Sequence, residues 1–467
     1  MTKTWAAIGC SVVLALVALP ALPALRGESP PAVAPEPERT EQPSAQGARQ
    51  PNVVLIFTDD QRKGTLSVMK ATRRLFKSRG TTFDPAFAST PLCCPARATL
   101  FSGRYMHNHN VTTNTSGSNL DQDHTIQAYL QEAGYRTALF GKFLNTFPEQ
   151  GIQHFDTWAM SRGFPYYNGT WNIDGTWQTV PTYSTQFIAE QAVRFITRAE
   201  RADDAPWFLY LAPIAPHGPA TPQHRYADVD VPRWGGNPRV FERDRSDKPP
   251  YIRESDMTFE AAQNARAKQL RTLLSVDDLV KRLFRRLKET GERRNTLAFF
   301  ISDNGMHWAE HGWNHKTTPY RPSVEVPFLM RWPGHVAPGD RDGRFAAHVD
   351  VAPTILDAAG VSADPTVPMD GRSLLQQWRR KRVHLEYHHY KVFSTPTWAS
   401  TRTRRGQYTE IYNSDGRVRF KEFYRLGRDP WQLSNLLRDD NPKNDPDLRF
   451  LHRRLRRDRS CAGSSCP

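Results

Sequence analysis

Asn52-Val53-Val54-Leu55-Ile56-Phe57-Thr58-Asp59-Asp60 decides the fold. Its unbroken apolar run reads as a strand buried on both faces, and it ends abruptly in two carboxylates. Three other runs behave in the same way. Residues 136–140 lead into Gly141-Lys142, Trp207–Ala212 into Pro213 through His217, and Thr296–Ser302 into Asp303-Asn304-Gly305. Helical patterns lie between them at 125–133, 185–198 and Phe259–Glu289. This alternation predicts an α/β fold with a large central, mostly parallel sheet flanked by helices. In such sheets ligands bind beyond the carboxyl ends of the strands, where all four polar clusters would converge.

Asp59, Asp60, Asp303 and Asn304 offer only hard oxygen donors, which favours Ca²⁺ or Mg²⁺ over zinc. Asp-Asp and Asp-Asn-Gly are also ordinary turn and cap residues, and for either pair seen singly that reading would prevail. Placement after two strongly predicted strands turns the reading towards a metal. A second cluster, Cys93-Cys94-Pro95-Ala96-Arg97, places a cysteine before a proline that can open a helix. With the first turn beginning near Pro95, Cys93 would lie at the positive end of the helix dipole and Arg97 one turn along, a setting for an anion. A buried cysteine pair ahead of a helix is the plainer alternative.

The chain has 467 residues, 38% of them hydrophobic, enough for one large domain and a smaller one. Lys and Arg total 63 against 48 acidic residues, a formal charge of +15. That balance suits an anionic partner and also fits a plain compositional bias towards arginine. Residues 1–26 read as a signal peptide, since the apolar stretch behind Lys3 is broken by Pro20 and Pro23; an uncleaved N-terminal anchor is the alternative. Residues 27–50, rich in Pro, Ala, Glu and Gln, read as a flexible tether. Cys461 and Cys466, four small residues apart, are placed to close a disulfide loop in an oxidising compartment. Ahead of them, 449–459 with Leu448, Leu451 and Leu455 at helical spacing reads as an amphipathic helix with a basic face, which would either be solvated or grip a polyanion.

From about Pro51 to Leu437 the motifs, in order, resemble the formylglycine-dependent sulfatases of the alkaline-phosphatase superfamily. The matching pieces are Cys93-x-Pro95-x-Arg97 with Ser102-Gly103-Arg104, the Val54–Gln61 stretch, Gly141-Lys142, Ala215-Pro216-His217, Ser302-Asp303-Asn304-Gly305, Lys316, and His348 through Thr354. Residues 422–436 are similar to the family's closing hairpin. The resemblance implies that a formylglycine-generating enzyme oxidises Cys93 to formylglycine. It implies further that Asp59, Asp60, Cys93, Asp303 and Asn304 hold Ca²⁺ or Mg²⁺, and that Arg97, Lys142, His217 and Lys316 are catalytic. It divides the chain into a catalytic domain over 51–375 and a C-terminal subdomain over 376–467, with a short antiparallel sheet against a helix.

Cys93-Cys94-Pro95, Gly141 through Asn145, Tyr105 through Asn110 and the terminal Cys461–Cys466 loop look most like N-acetylglucosamine-6-sulfatases and heparan endosulfatases. The expected activity is therefore hydrolysis of sulfate esters by an exported enzyme, at O6 of glucosamine-type sugars or on aryl sulfates. His107, His109 and His307 are candidate substrate contacts, although His107 and His109 read equally well as loop histidines. Many sulfatases carry a histidine where this chain has Leu144, which leaves His307 as the nearest replacement base. Two rival readings stand: a phosphate or phosphonate ester hydrolase on the same scaffold, and a non-catalytic polyanion-binding protein in which Cys93 stays a thiol. With the resemblance, the polyanion for the basic face of 449–459 becomes a sulfated polysaccharide; a nucleic-acid partner is not expected.

Overall fold

The computed structural model describes residues 49–145 and 151–467. The leader over 1–26 and the tether over 27–50, save its last two residues, lie outside the described residues. Ten strands form the main sheet, in the order Arg341–Asp342, Thr81–Phe83, Phe328–Arg331, Thr296–Ser302, Asn52–Thr58, Trp207–Ala212, Arg136–Gly141, Thr157–Ser161, Gly169–Ile173 and Thr176–Val180. The five strands from Thr296–Ser302 to Thr157–Ser161 run parallel. Phe328–Arg331 pairs antiparallel on one side, and the hairpin of Gly169–Ile173 with Thr176–Val180 closes the other.

Alternation of side chains along the central strand explains why helices cover both faces. Val53, Leu55 and Phe57 enter a core shared with the helices Cys93–Ser102, Ile126–Glu132 and Val351–Ala359. Val54 and Ile56 enter the opposite core, against Ser184–Ala202 and Phe259–Glu289. The 31-residue helix Phe259–Glu289 is capped by the Thr258 side chain, which accepts from the Ala261 N–H, and carries Arg286 and Lys288 in its last turn. The helix of the cysteine motif begins at Cys93 rather than near Pro95. Pro95 is thus its third residue, still within the first turn, where a missing N–H leaves no intrahelical bond unmade.

Four further strands, Arg382–Tyr387, Trp398–Thr403, Gln407–Tyr412 and Val418–Tyr424, make an antiparallel meander. The stretch likened to a closing hairpin supplies only its last strand, whose partner precedes it. Helix Leu448–Asp458 packs on this sheet through Leu448, Leu451 and Leu455 against Ala399, Tyr408 and Tyr412. Cys461 and Cys466 form a disulfide. Residues 49–467 cluster as a single compact unit.

Candidate active site

Asn52–Thr58 and Thr296–Ser302 are neighbours with Thr58 opposite Ser302, so Asp59-Asp60 and Asp303-Asn304 emerge side by side from adjacent strand ends. Asp60 takes a left-handed backbone (φ 65°), and its N–H donates to Asp303 Oδ1 at 2.9 Å. Asp59, Asp60 and Asp303 each bring a carboxylate oxygen within 4.8 Å of the others. Asn304 Nδ2 donates to Asp60 Oδ1 (2.6 Å) and to the Gly305 carbonyl (2.9 Å), which turns its Oδ1 into the interior without a hydrogen-bond partner. An orphaned buried amide oxygen costs roughly 1–3 kcal/mol. Beside three carboxylates it completes a donor set that fits a hard divalent cation.

Cations of the protein itself surround these carboxylates. Lys142 Nζ lies 2.6 Å from Asp59 Oδ2, and Lys316 Nζ 2.5 Å from Asp60 Oδ1. Arg97 donates to Asp303 Oδ2 from Nη2 (2.9 Å) and Nε (3.3 Å), and from Nη1 to the Lys142 carbonyl and the Tyr210 hydroxyl, both at 2.9 Å. Every nitrogen of that guanidinium is engaged, so Arg97 holds the acidic groups in place. Burial alone would raise the Asp59 carboxyl, but Lys142, His217, Arg97 and Lys316 hold it well below the usual range. Asp303 is pushed up to about 6 by burial and by the charge on Asp59, with Arg97 opposing.

Cys93, 1% exposed in the first turn of its helix, joins the same cluster. Its Sγ accepts from Lys316 Nζ at 2.8 Å and lies 3.5 Å from Asp59 Oδ1. Burial and Asp59 push the thiol up to about 12, Lys142 and Lys316 notwithstanding. His217 closes the group: its Nδ1 bonds the Gly218 carbonyl at 2.6 Å, and its Nε2 faces Asp60 Oδ2 at 3.8 Å. Its ring stacks on Phe164 (4.1 Å, 8° between planes), over whose face Lys142 Nζ also lies at 4.6 Å. Burial lowers the His217 pKa, although Asp59 and Asp60 oppose this.

The Sulfatase family model matches residues 51–361, and the model of the N-sulphoglucosamine sulphohydrolase C-terminal region matches 309–460. The chain belongs to the sulfatase family. It is a sulfuric ester hydrolase. The N-acetylglucosamine-6-sulfatase of Homo sapiens is 33% identical over 90% of this chain and 87% of its own. Among solved structures, a protein in complex with its substrate D-glucosamine-2-N,6-O-disulfate superposes with a TM-score of 0.77 at 23% identity, covering 87% of this sulfatase and 97% of itself. The phosphonate monoester hydrolase of Agrobacterium radiobacter shares the fold at a TM-score of 0.67 and 22% identity, over 84% and 92% of the two chains.

The remaining expected site residues of the sulfatase stand apart from this cluster. His107 bonds Glu386 Oε1 through Nδ1 (2.8 Å) and the Cys461 carbonyl through Nε2 (3.0 Å). His109 contacts the Thr99 hydroxyl (3.0 Å) and accepts from the Val111 N–H (3.1 Å), and burial lowers it to about 3. His307 engages the Glu310 carbonyl (3.0 Å) and the Thr318 hydroxyl (2.8 Å), also lowered to about 3 by burial. In all three, both ring nitrogens serve the protein's own framework. Leu144 is buried in the core beside Phe143. Tyr210 and Phe164, absent from the sequence-based expectations, anchor Arg97 and His217.

Proposed function

We propose that this sulfatase removes the 6-O-sulfate of glucosamine-type sugars, with formylglycine at position 93 and Ca²⁺, or Mg²⁺ in its place, held by Asp59, Asp60, Asp303 and Asn304. The setting of Cys93 carries the reading. Lysines and carboxylates converge on its sulfur, yet the thiol is held near 12 and is no nucleophile as it stands. Formylglycine at position 93, beside Lys316 and Asp59, would supply as nucleophile the hydrated aldehyde that the thiol is not. The divalent cation supplies charge against the sulfuryl oxygens. Lys142 and Lys316 oppose the same charge as it spreads in the transition state. Arg97 keeps Asp303 and Asp59 oriented. With its Nδ1 proton tied to the Gly218 carbonyl, His217 serves as the acid in its doubly protonated form, which the facing Asp59 and Asp60 favour against burial; it gives the Nε2 proton to the departing sugar oxygen and is left neutral.

The human relative, an N-acetylglucosamine-6-sulfatase, and the disulfated glucosamine held as substrate by the fold neighbour support the choice of sugar. Sulfate release from D-glucosamine 6-sulfate tests it, alongside an aryl sulfate and the matched phosphonate. Cys93→Ala is expected to fold and release no sulfate, chelation to abolish activity and added Ca²⁺ to restore it. Mass spectrometry of the Cys93 peptide reads the modification directly. An active protein whose Cys93 is a plain thiol, or one indifferent to chelation, would sink the proposal. Faster turnover of the phosphonate would favour the second reading, which the shared fold with a phosphonate hydrolase motivates. A protein that binds sulfated sugars without turnover would favour the non-catalytic one.

Export belongs to the same reading, with 1–26 as leader, 27–50 as tether and 51–375 and 376–467 as the two parts of the body. The Cys461–Cys466 disulfide supports an oxidising compartment. Immunoblotting of medium, membrane and cytosolic fractions checks it: protein confined to the cytosol would refute export.

A further inference from the structure

Outside the Cys93 cluster, the C-terminal sheet and the terminal helix Leu448–Asp458 enclose a cleft of about 460 Å³. Five arginines line it: Arg404, Arg405, Arg425, Arg428 and Arg454. The single lining carboxylate is Asp447, whose Oδ1 already accepts the Phe450 N–H as the helix cap. Among the described residues none of the five guanidiniums pairs with a carboxylate. Arg425 and Arg404 bond only the neutral carbonyls of Asn444 and Gly343, Arg454 lies 4.1 Å over the Phe450 ring, and Arg405 and Arg428 are exposed. Phe423 and Phe450 supply an aromatic floor, Phe450 remaining 39% exposed. Uncompensated guanidiniums beside an exposed aromatic face suit a ligand that carries anionic oxygens on rings with apolar C–H faces.

The cleft continues along the surface. A neighbouring one of about 320 Å³ shares Thr403 and Arg404 with it and reaches Lys63 and Arg321. A third, of about 220 Å³, shares Lys63 and Arg321 and adds Arg62 and Arg239. Glu325, which pairs with Arg321, Arg402 and Lys63, and Asp84, which pairs with Arg341, line these two clefts as well, and Arg62 pairs with Glu310. Cations still outnumber carboxylates in each, and Lys63 lies three residues beyond Asp60, so a path of net positive charge runs from the terminal helix to the loop that follows the site carboxylates. A compact anion needs one pocket. A path of linked pockets suits an extended polyanion.

We propose that this path is a secondary binding site for a sulfated oligosaccharide chain, with the cleft under Leu448–Asp458 as its anchor; the choice of ligand rests on the sulfated-sugar reading above. Binding of a fluorescein-labelled heparin octasaccharide, followed by anisotropy on full-length Cys93→Ala protein to prevent turnover, tests it. Arg405→Ala with Arg428→Ala should weaken binding about tenfold and flatten its salt dependence. Both side chains are exposed and without carboxylate partners, so folding, checked by circular dichroism, is preserved. Phe450→Ala is expected to weaken binding as well. On the enzyme with Cys93 intact, the paired arginine variant should lower the ratio of kcat/KM for the polymer to that for glucosamine 6-sulfate by about fivefold. Unchanged affinity in the paired variant would overturn the proposal. So would equal, arginine-dependent binding of unsulfated octasaccharide or of a DNA oligonucleotide. Octasaccharide binding that survives while no sulfate is released from any sugar would sink the catalytic reading alone.

Discussion

His348 donates from Nε2 to the carbonyl of Ser302, the residue that leads into Asp303, while its Nδ1 is buried without a partner. Burial lowers its pKa to about 3 from 6.5, so the neutral ring is the folded form. The unfolded chain therefore binds a proton that the folded chain refuses between those values, and the stability present above 6.5 is lost as pH falls towards 3. The expected contribution is about 1.4 kcal/mol per pH unit inside that window. Urea unfolding of the wild type and His348→Gln across the same range checks it; parallel slopes would refute it. At this scale the sequence was informative where side chains follow strand ends: Asp59, Asp60, Asp303 and Asn304 meet as expected, as do Cys93, Lys142, His217 and Lys316. Tyr210 was hidden because it sits mid-strand among apolar neighbours, where a phenol reads as core. Nor does spacing reveal that His109 and His307 use both ring nitrogens internally, since that depends on partners brought up by folding.

Among the elements, the strand Arg136–Gly141 shows how backbone fit places a functional group. Gly141 has φ 118°, and a Cβ there would meet the Ala212 carbonyl oxygen of the adjacent strand at 2.1 Å. Gly141→Ala should force the strands apart, cost about 1–3 kcal/mol and pull Lys142 away from Asp59. Thermal unfolding together with kcat for an aryl sulfate measures both effects; a variant as stable and as active as the wild type would contradict this account. The four interior strands were legible because burial on both faces demands unbroken apolar runs. Thr176–Val180 was not, since four of its five residues are exposed at the sheet edge. The C-terminal strands hid for another reason. Gln407–Tyr412 is buried yet carries Glu410, whose carboxylate accepts from the Tyr408 and Tyr412 hydroxyls, so polar residues interrupt the pattern although they are satisfied inside.

Across the whole molecule, the chain terminus is fastened close to the helix that begins at Cys93. The Cys461 carbonyl accepts from Asn108 Nδ2 at 2.8 Å and bonds His107, while Asp370 Oδ1 accepts from the Gly463 N–H at 2.7 Å. His107 and Asn108 lie just beyond the helix that begins at Cys93. Replacing Cys461 and Cys466 with serine should lower stability by about 2 kcal/mol, the chain-entropy expectation for so short a loop. Denaturant midpoints with and without reductant measure the loss, and no shift would mean that the loop is held by its hydrogen bonds alone. The burial of Cys93 sets an order of events in biosynthesis. Lys316, which closes over its sulfur, is made 223 residues later, so the thiol is open to an enzyme before the chain folds and shut away afterwards. On the proposed function, finished protein supplied afterwards with a formylglycine-generating enzyme should keep its thiol, and a producer lacking that enzyme before folding would accumulate well-formed but permanently inert molecules.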